Sequence, residues 1–208
     1  MENNLLYILQ GLGLSLKLYF STLILALPLG ILLSLGRVSK CNILNFSIQF
    51  YTWIFRGTPL LLQLFFVYYG LPILGITLEP FNAALITFTI NYSAYISEIF
   101  RGSILGVDVG QYEAAQVLGY NYWQTMKKII LPQSLITALP ALSNEAIALI
   151  KDTSLVSAIG MAEILRNSKE IVTRDFTISP FIICALIYLG ISTIIIFALK
   201  YIEKKVMI

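Results

Sequence analysis

The sequence contains no histidine. That excludes Ser-His-Asp triads, imidazole general bases and nearly all zinc sites in one step. Charge is also scarce: 12% of the 208 residues are Asp, Glu, Lys or Arg, against about 25% in ordinary soluble domains. With 58% hydrophobic residues and a strongly positive mean hydropathy, much of the surface must face lipid. The two cysteines, Cys41 and Cys184, lie far apart in or beside apolar stretches, which argues against a disulfide framework or a metal cluster. No GxxxxGK[ST] phosphate loop occurs, and the uncharged runs leave no room for a nucleotide-binding domain, so any ATP hydrolysis belongs to another polypeptide. The opening residues MENNLLYILQ carry no Lys or Arg, so a cleaved signal peptide is not expected and the apolar start is read as part of the membrane domain. A net charge of +3 gives no reason to expect a nucleic-acid partner.

What is present is a series of apolar runs of membrane-spanning length. About 20 apolar residues cross a bilayer as a helix. The first uncharged stretch, broken only by Lys17, is too long for one upright helix. Asn3–Leu16 reads as an interfacial helix and Leu18–Leu35 as the first span, with Lys17 snorkelling to the interface. A second span begins near Phe50 and is clearest over Leu60–Leu71, with Thr58 and Pro59 suited to a helix start. After the turn ILGITLEP, the third span is Phe81–Phe100, the fourth Gln133–Ile150 and the fifth, free of charge, Phe181–Leu199. Lys151–Pro180 is apolar in its middle but too short and interrupted to cross. It is expected to re-enter the membrane against protein or a water-filled cavity, where non-helical backbone is tolerated.

Lys and Arg sort these segments by side. Arg37, Lys40, Arg56, Arg101, Lys127, Lys128, Lys200, Lys204 and Lys205 fall on one side; Lys151, Arg166, Lys169 and Arg174 fall on the other. The richer side is expected to be cytoplasmic, which puts the amino terminus outside and the carboxyl terminus inside.

The polar interruption Asp108–Pro132 then faces the cytoplasm. Asp108 and Gln111, and again Asn121 and Gln124, are spaced as capping boxes. Glu113 to Leu118 are mostly good helix formers, and Gly119 suits the left-handed residue that closes a helix. A second helix is expected over Tyr122–Ile130, with Pro132 opening the fourth span. By physics alone the pair is either an amphipathic hairpin resting on headgroups or a knob offered to another protein: small Ala114, Ala115 and Gly119 allow close approach and Glu113 supplies a charge.

The spacing Glu-Ala-Ala, three residues, Gly, nine residues, Ile, one residue, Leu-Pro is met by Glu113, Ala114, Ala115, Gly119, Ile129, Leu131 and Pro132. It resembles the cytoplasmic signature loop of the membrane subunits of bacterial ABC importers. RGTPLLLQLFFVYYGLP, AYISEIFRGSILGV, IILPQSL and IALIKDTSLVSAIGMAEIL look like the polar-amino-acid branch of those permeases, and the likeness covers nearly the whole chain. Ser134, Leu135, Ile136 and Thr137 depart from it, since a positive charge often follows the IILPQ element. The resemblance implies an all-α, five-span, single membrane domain over residues 1–208 with a coupling loop at 108–132. Glu113, Ala114, Ala115 and Gly119 would dock into a separate ATPase. It also implies two ATPase copies carrying ATP and Mg while this chain binds no cofactor, a second permease copy or close relative, an extracytoplasmic amino-acid-binding protein, and a bacterial cell-membrane location.

Ionisable groups at membrane depth are costly and mark candidate sites. Glu98 lies near the cytoplasmic end of the third span, after Tyr92 and Tyr95; Asn144 and Glu145 lie in the outer half of the fourth, followed by Lys151, Asp152 and Glu163. Glu98, Asn144, Lys151, Asp152, Glu163 and Tyr92 are therefore the pathway candidates for a zwitterionic, basic or amide amino acid. Each has a plainer role open to it: Glu98 with Arg101 as an i,i+3 pair, Lys151 with Asp152 as neighbours, and the tyrosines as packing. A self-sufficient secondary carrier or channel is the competing class, although no internal repeat of the kind common in carriers is evident.

Overall fold

A computed structural model describes residues 2–206, and among them every regular element is helical. The chain opens with α1 (Glu2–Gln10) and α2 (Leu12–Arg37), which break at Gly11 rather than at Lys17. The cause is a backbone crossing. A Cβ on Gly11 would lie 2.3 Å from the carbonyl carbon of Glu163 and 2.4 Å from the nitrogen of Ile164, so only glycine fits. Lys17 stays inside α2, its ammonium 4.4 Å above the Phe81 ring, an attractive placement for a cation.

Thr22, Ala26, Gly30 and Ser34 form a stripe of small buried residues along α2. They allow close packing on the central helix α5 (Pro80–Leu105), the arrangement that membrane helices use where lipid gives no hydrophobic drive to association. A Cβ on Gly30 would meet the Ile96 side chain at 2.4 Å and the Ser93 carbonyl at 3.1 Å.

The residues of the expected second span are helical but sharply bent. Asn42–Gly57 forms α3, and after a 102° bend Leu60–Phe65 forms α4, carried on by a π-turn over Phe66–Gly70 and a 3-10 turn over Leu71–Leu74. Pro59 causes the break. It lacks the N–H a continuing helix needs and forces its predecessor out of the helical region, and Thr58 is indeed extended at φ −120°, ψ 146°. The residues of the third expected span, Phe81–Phe100, lie within the helix α5, which runs on by a turn to Leu105.

The polar interruption forms α6 (Val109–Val117) and α7 (Tyr122–Thr125), and a π-turn over Met126–Ile130 joins α7 to α8 (Leu131–Asp152). The Asn121–Gln124 capping box closes in both directions at 2.9 Å. The Asp108 box does not form, because its carboxylate instead accepts from the Gly110 N–H at 2.7 Å. Gly119 adopts the left-handed conformation at φ +76°. Between α8 and the last helix, α10 (Ser179–Val206), the chain makes a 3-10 segment over Thr153–Ile159 and then α9 (Ile164–Asp175). Val156, Ile159 and Met161 bury into the main core, while Ile164 and Ile171 of α9 join Ile8 of α1 and Cys184 of α10 in a second, smaller one.

By length and apolarity the α1–α2 unit and α10 can each cross a bilayer, and the bent α3–α4 pair makes a third candidate. α5 and α8 are long enough, at 26 and 22 residues, but carry more polar side chains, including buried Asn91, Tyr92, Ser93 and Ser97 on α5.

Candidate functional site

The break at Pro59 leaves the last carbonyls of α3 without helical partners, and at this depth they must be answered. Gln63 does this from α4: its amide nitrogen donates to the Phe55 carbonyl at 3.0 Å, the Thr58 carbonyl at 3.1 Å and the Thr58 hydroxyl at 2.7 Å. Asn91 does so from α5, donating to the Phe55 carbonyl at 2.8 Å and to the Gln63 side-chain oxygen at 3.0 Å. The Tyr95 hydroxyl reaches the Arg56 carbonyl at 3.4 Å. The elbow is thus tied to α5 by side chains of three residues.

Against this elbow opens a cavity of about 460 Å³, lined by the Arg56–Leu60 corner, by Asn91, Tyr92 and Tyr95 of α5, and by Glu145, Ala148 and Asp152 of α8. The α8 residues are spaced i, i+3, i+7 and so share one face. Tyr92, 3% exposed, donates to the Asp152 carboxylate at 2.7 Å. The cavity lining therefore offers two carboxylates, one guanidinium and two tyrosines. Such a site can hold a small zwitterion carrying an extra positive or polar end.

A neighbouring cleft of about 380 Å³ is lined by Arg37, Gln49, Thr52, Trp53, Arg56, Gly57 and Glu98. Glu98 gathers three arginines: Arg101 at 2.8 Å, Arg37 at 3.2 Å and Arg56 at 3.9 Å. The i,i+3 pair with Arg101 forms as the sequence allows, but two further helices contribute to it. Arg37 also bonds the Asn45 side chain.

Of the six pathway candidates, the structure brings Tyr92 and Asp152 together and places Glu98 in the adjoining cleft. Asn144 and Lys151 are exposed on α8; they differ from Glu145 and Asp152 by one position each, a rotation of about 100° off the cavity face. The Lys151–Asp152 pairing does not form, since Asp152 takes its hydrogen bond from Tyr92. Glu163 is not among the residues lining this cavity. It is fully buried and caps α9, accepting from the Leu165 and Arg166 N–H groups at 2.7 and 2.6 Å and from the Tyr188 hydroxyl at 2.9 Å. Glutamate is not among the favoured N-cap residues, so the sequence carried little signal of this cap. Arg56 was counted only as a charge on one side, yet it lines both cavities; the RGTP break ahead of an apolar run was the clue to its position.

On the α6–α7 loop, Glu113, Ala114 and Gly119 are exposed, whereas Ala115 is fully buried and faces the protein's own interior rather than a partner. The apolar surface that the loop does present comes from Val109, Val117 and Leu118, which are 68%, 88% and 70% exposed. Beneath it, Ile104, Met126 and Ile130 pack with Leu35 and Val38, so the loop is tied to the ends of α2 and α5. A larger groove, about 610 Å³, runs along α9 between Arg166, Lys169, Glu170 and Arg174; neither Glu145 nor Asp152 lines it. Among the described residues no group of His, Cys, Asp and Glu is arranged to hold a metal ion.

The family model described as "Binding-protein-dependent transport system inner membrane component" matches residues 26–208. The chain belongs to that family. Among its relatives, the probable amino-acid ABC transporter permease protein YckA of Bacillus subtilis (strain 168) is 42% identical over 96% of this chain and 88% of its own length. The arginine transport system permease protein ArtQ of the same organism is 40% identical over 96% and 92%. The crystal structure of an amino acid ABC transporter with histidines superimposes with a TM-score of 0.89 at 34% identity, covering 96% of this chain and 94% of that one. The chain is thus an amino-acid ABC transporter permease, a multi-pass inner-membrane transport subunit and not an enzyme. Permeases of this kind pair with one another and work with separate ATPase subunits.

Proposed function

We propose that this permease forms the translocation pathway for a basic or amide-bearing amino acid, with the Arg56–Tyr92–Glu145–Asp152 cavity as the solute's station in the membrane. The carrying observation is that two carboxylates and one arginine line the same cavity. In this reading five spans cross the membrane, α2, the α3–α4 elbow, α5, α8 and α10, with the polar faces of α5 and α8 turned to the pathway instead of lipid. The 153–163 segment re-enters beside it. The amino terminus is outside and the carboxyl terminus cytoplasmic. Two copies assemble, receive solute from an extracytoplasmic binding protein, and engage two ATPase subunits that carry ATP and Mg. Glu113, Ala114 and Gly119, with Val117 and Leu118, form the docking face, and Ala115 holds that face to the rest of the chain.

The test is uptake by the reconstituted importer, with unlabelled arginine, lysine, histidine, glutamine and glutamate as competitors. Competition by the basic or amide members is expected, and a strict preference for glutamate over arginine overturns the assignment. Glu113→Lys is expected to abolish solute-stimulated ATP hydrolysis; unchanged stimulation and uptake would remove the docking role.

A further inference from the structure

Among the described residues, Arg56 is the one charged side chain that lines both the membrane cavity and the neighbouring cleft. It is also the loosest member of the Glu98 cluster. Arg101 and Arg37 each donate a hydrogen bond to Glu98, while Arg56 approaches only to 3.9 Å and keeps 44% of its side chain exposed. Its guanidinium is steadied by the Tyr95 ring, 5.3 Å below, a cation–π placement that leaves its N–H groups free. One carboxylate cannot neutralise three guanidiniums, and the surplus falls on the arm without a hydrogen bond. Its fork of N–H donors makes no hydrogen bond among the described residues and lines a cavity whose other charges are Glu145 and Asp152, and such a fork matches a carboxylate.

We propose that Arg56 binds the solute's α-carboxylate and, by leaving Glu98 to do so, links occupancy of the cavity to loss of the α3–α5 ion pair at the cytoplasmic cleft, while the hydrogen bonds between the two helices stay in place. This rests on the cavity being the solute's station. Among the described residues, Arg56–Glu98 is the ion pair joining α3 to α5. Glu98 keeps Arg37 and Arg101 when Arg56 turns away, so the exchange strands no buried charge, which would otherwise be strongly opposed. The solute thus supplies the differential contact that any ligand-driven change of state requires.

The test uses the full importer reconstituted with its ATPase and binding protein, with the amino acid taken up fastest in the competition series. Uptake KM, kcat and ATP hydrolysis with and without solute are measured for Arg56→Gln, Arg56→Lys, Glu98→Gln, Glu145→Gln and Asp152→Asn. Arg56→Gln is expected to raise KM at least tenfold and to remove solute stimulation. Arg56→Lys, which keeps the charge but loses the fork, is expected to fall between it and the parent protein. Glu98→Gln frees Arg56 without solute, so ATP hydrolysis in its absence is expected to rise at least threefold and KM to fall, because the solute no longer has to displace Glu98. An Arg56→Gln KM within twofold of the parent overturns the inference, as does unchanged solute-free hydrolysis in Glu98→Gln. If Glu145→Gln and Asp152→Asn raise KM and Arg56→Gln does not, the cavity stands and this role for Arg56 falls. If none of the three raises KM, the cavity assignment falls with it.

Discussion

Replacing Gly11 by alanine tests how much of the fold depends on the contact between the α1–α2 break and the start of α9. The new Cβ would sit 2.3 Å from the Glu163 carbonyl carbon, 2.4 Å from the Ile164 nitrogen and 2.8 Å from the Glu163 Cα. All three are backbone atoms, so no rotamer change relieves the clash and the two segments must separate by about 1 Å. Overpacking of this kind costs about 1–3 kcal/mol. Separation also weakens the bond from the Asn167 amide to the Tyr7 carbonyl, 2.9 Å, worth about 1 kcal/mol. Alanine's better helix propensity offsets up to about 1 kcal/mol of this, leaving a net loss of about 1–3 kcal/mol. Cys184 is a built-in reporter because it is 4% exposed in the small core beside Ile164 and Ile171. With exposed Cys41 changed to serine, maleimide labelling of Cys184 in detergent reads the population of the opened α9–α10 contact. A 1–3 kcal/mol loss accelerates labelling about 5- to 160-fold. Gly13→Ala is the control, since nothing lies within 4 Å of where its methyl would sit, and labelling is expected to stay near the parent rate. Equal rates for the two variants would refute the reasoning.

Further outcomes follow from the same geometry. Gly30→Val should destabilise by about 1–3 kcal/mol in thermal unfolding in detergent, and Ile96→Ala should recover part of that loss, because the clash falls mainly on the Ile96 side chain; simple additivity would show that the two do not meet. Gln63→Leu removes one of the two donors to the Phe55 carbonyl and the donor to the exposed Thr58 carbonyl and should cost about 0.5–1.5 kcal/mol; an unchanged melting midpoint would mean that the elbow does not need its brace. Arg166 first, and then Tyr7, hold the Glu170 carboxyl below its ordinary range through hydrogen bonds. Its contribution is therefore fully present at neutral pH and fades as pH falls below about 4 through the lowered value. The pair is half-exposed, so the effect stays under about 1 kcal/mol; Glu170→Gln should flatten that part of the pH–stability curve, and an identical curve in both proteins would contradict the assignment.

The fold was most legible where one physical signal acted alone. The charge-free run to Leu199 reads directly as α10, and the Asn121–Gln124 box is local chemistry that forms as spaced. The α1–α2 break was missed because its cause is the Glu163–Ile164 backbone some 150 residues away, while Lys17, the visible interruption, can rest on Phe81 without ending a helix. The elbow was half legible: Pro59 announced a helix start, but apolarity on both sides suggested continuity, and the donors that make a 102° bend tolerable come from Gln63 and Asn91. In the cavity, helical spacing on α8 separated Glu145 and Asp152 from Asn144 and Lys151, a distinction available from the sequence once one face is fixed. Glu163 was less legible because a buried carboxylate and a helix cap look alike until the neighbouring amides are placed.

The tied corner at Phe55–Gln63 also bears on how the permease can move. A bend held only by proline could straighten, but one whose freed carbonyls are bonded to Gln63 and Asn91 carries its angle as a fixed part. Rearrangement between outward- and inward-open forms must then be taken up at the corner's two ends, the Val38–Cys41 connection and the left-handed Gly75 turn. The corner behaves as a crank set on α5: its angle is constant, and what changes is the direction in which it points.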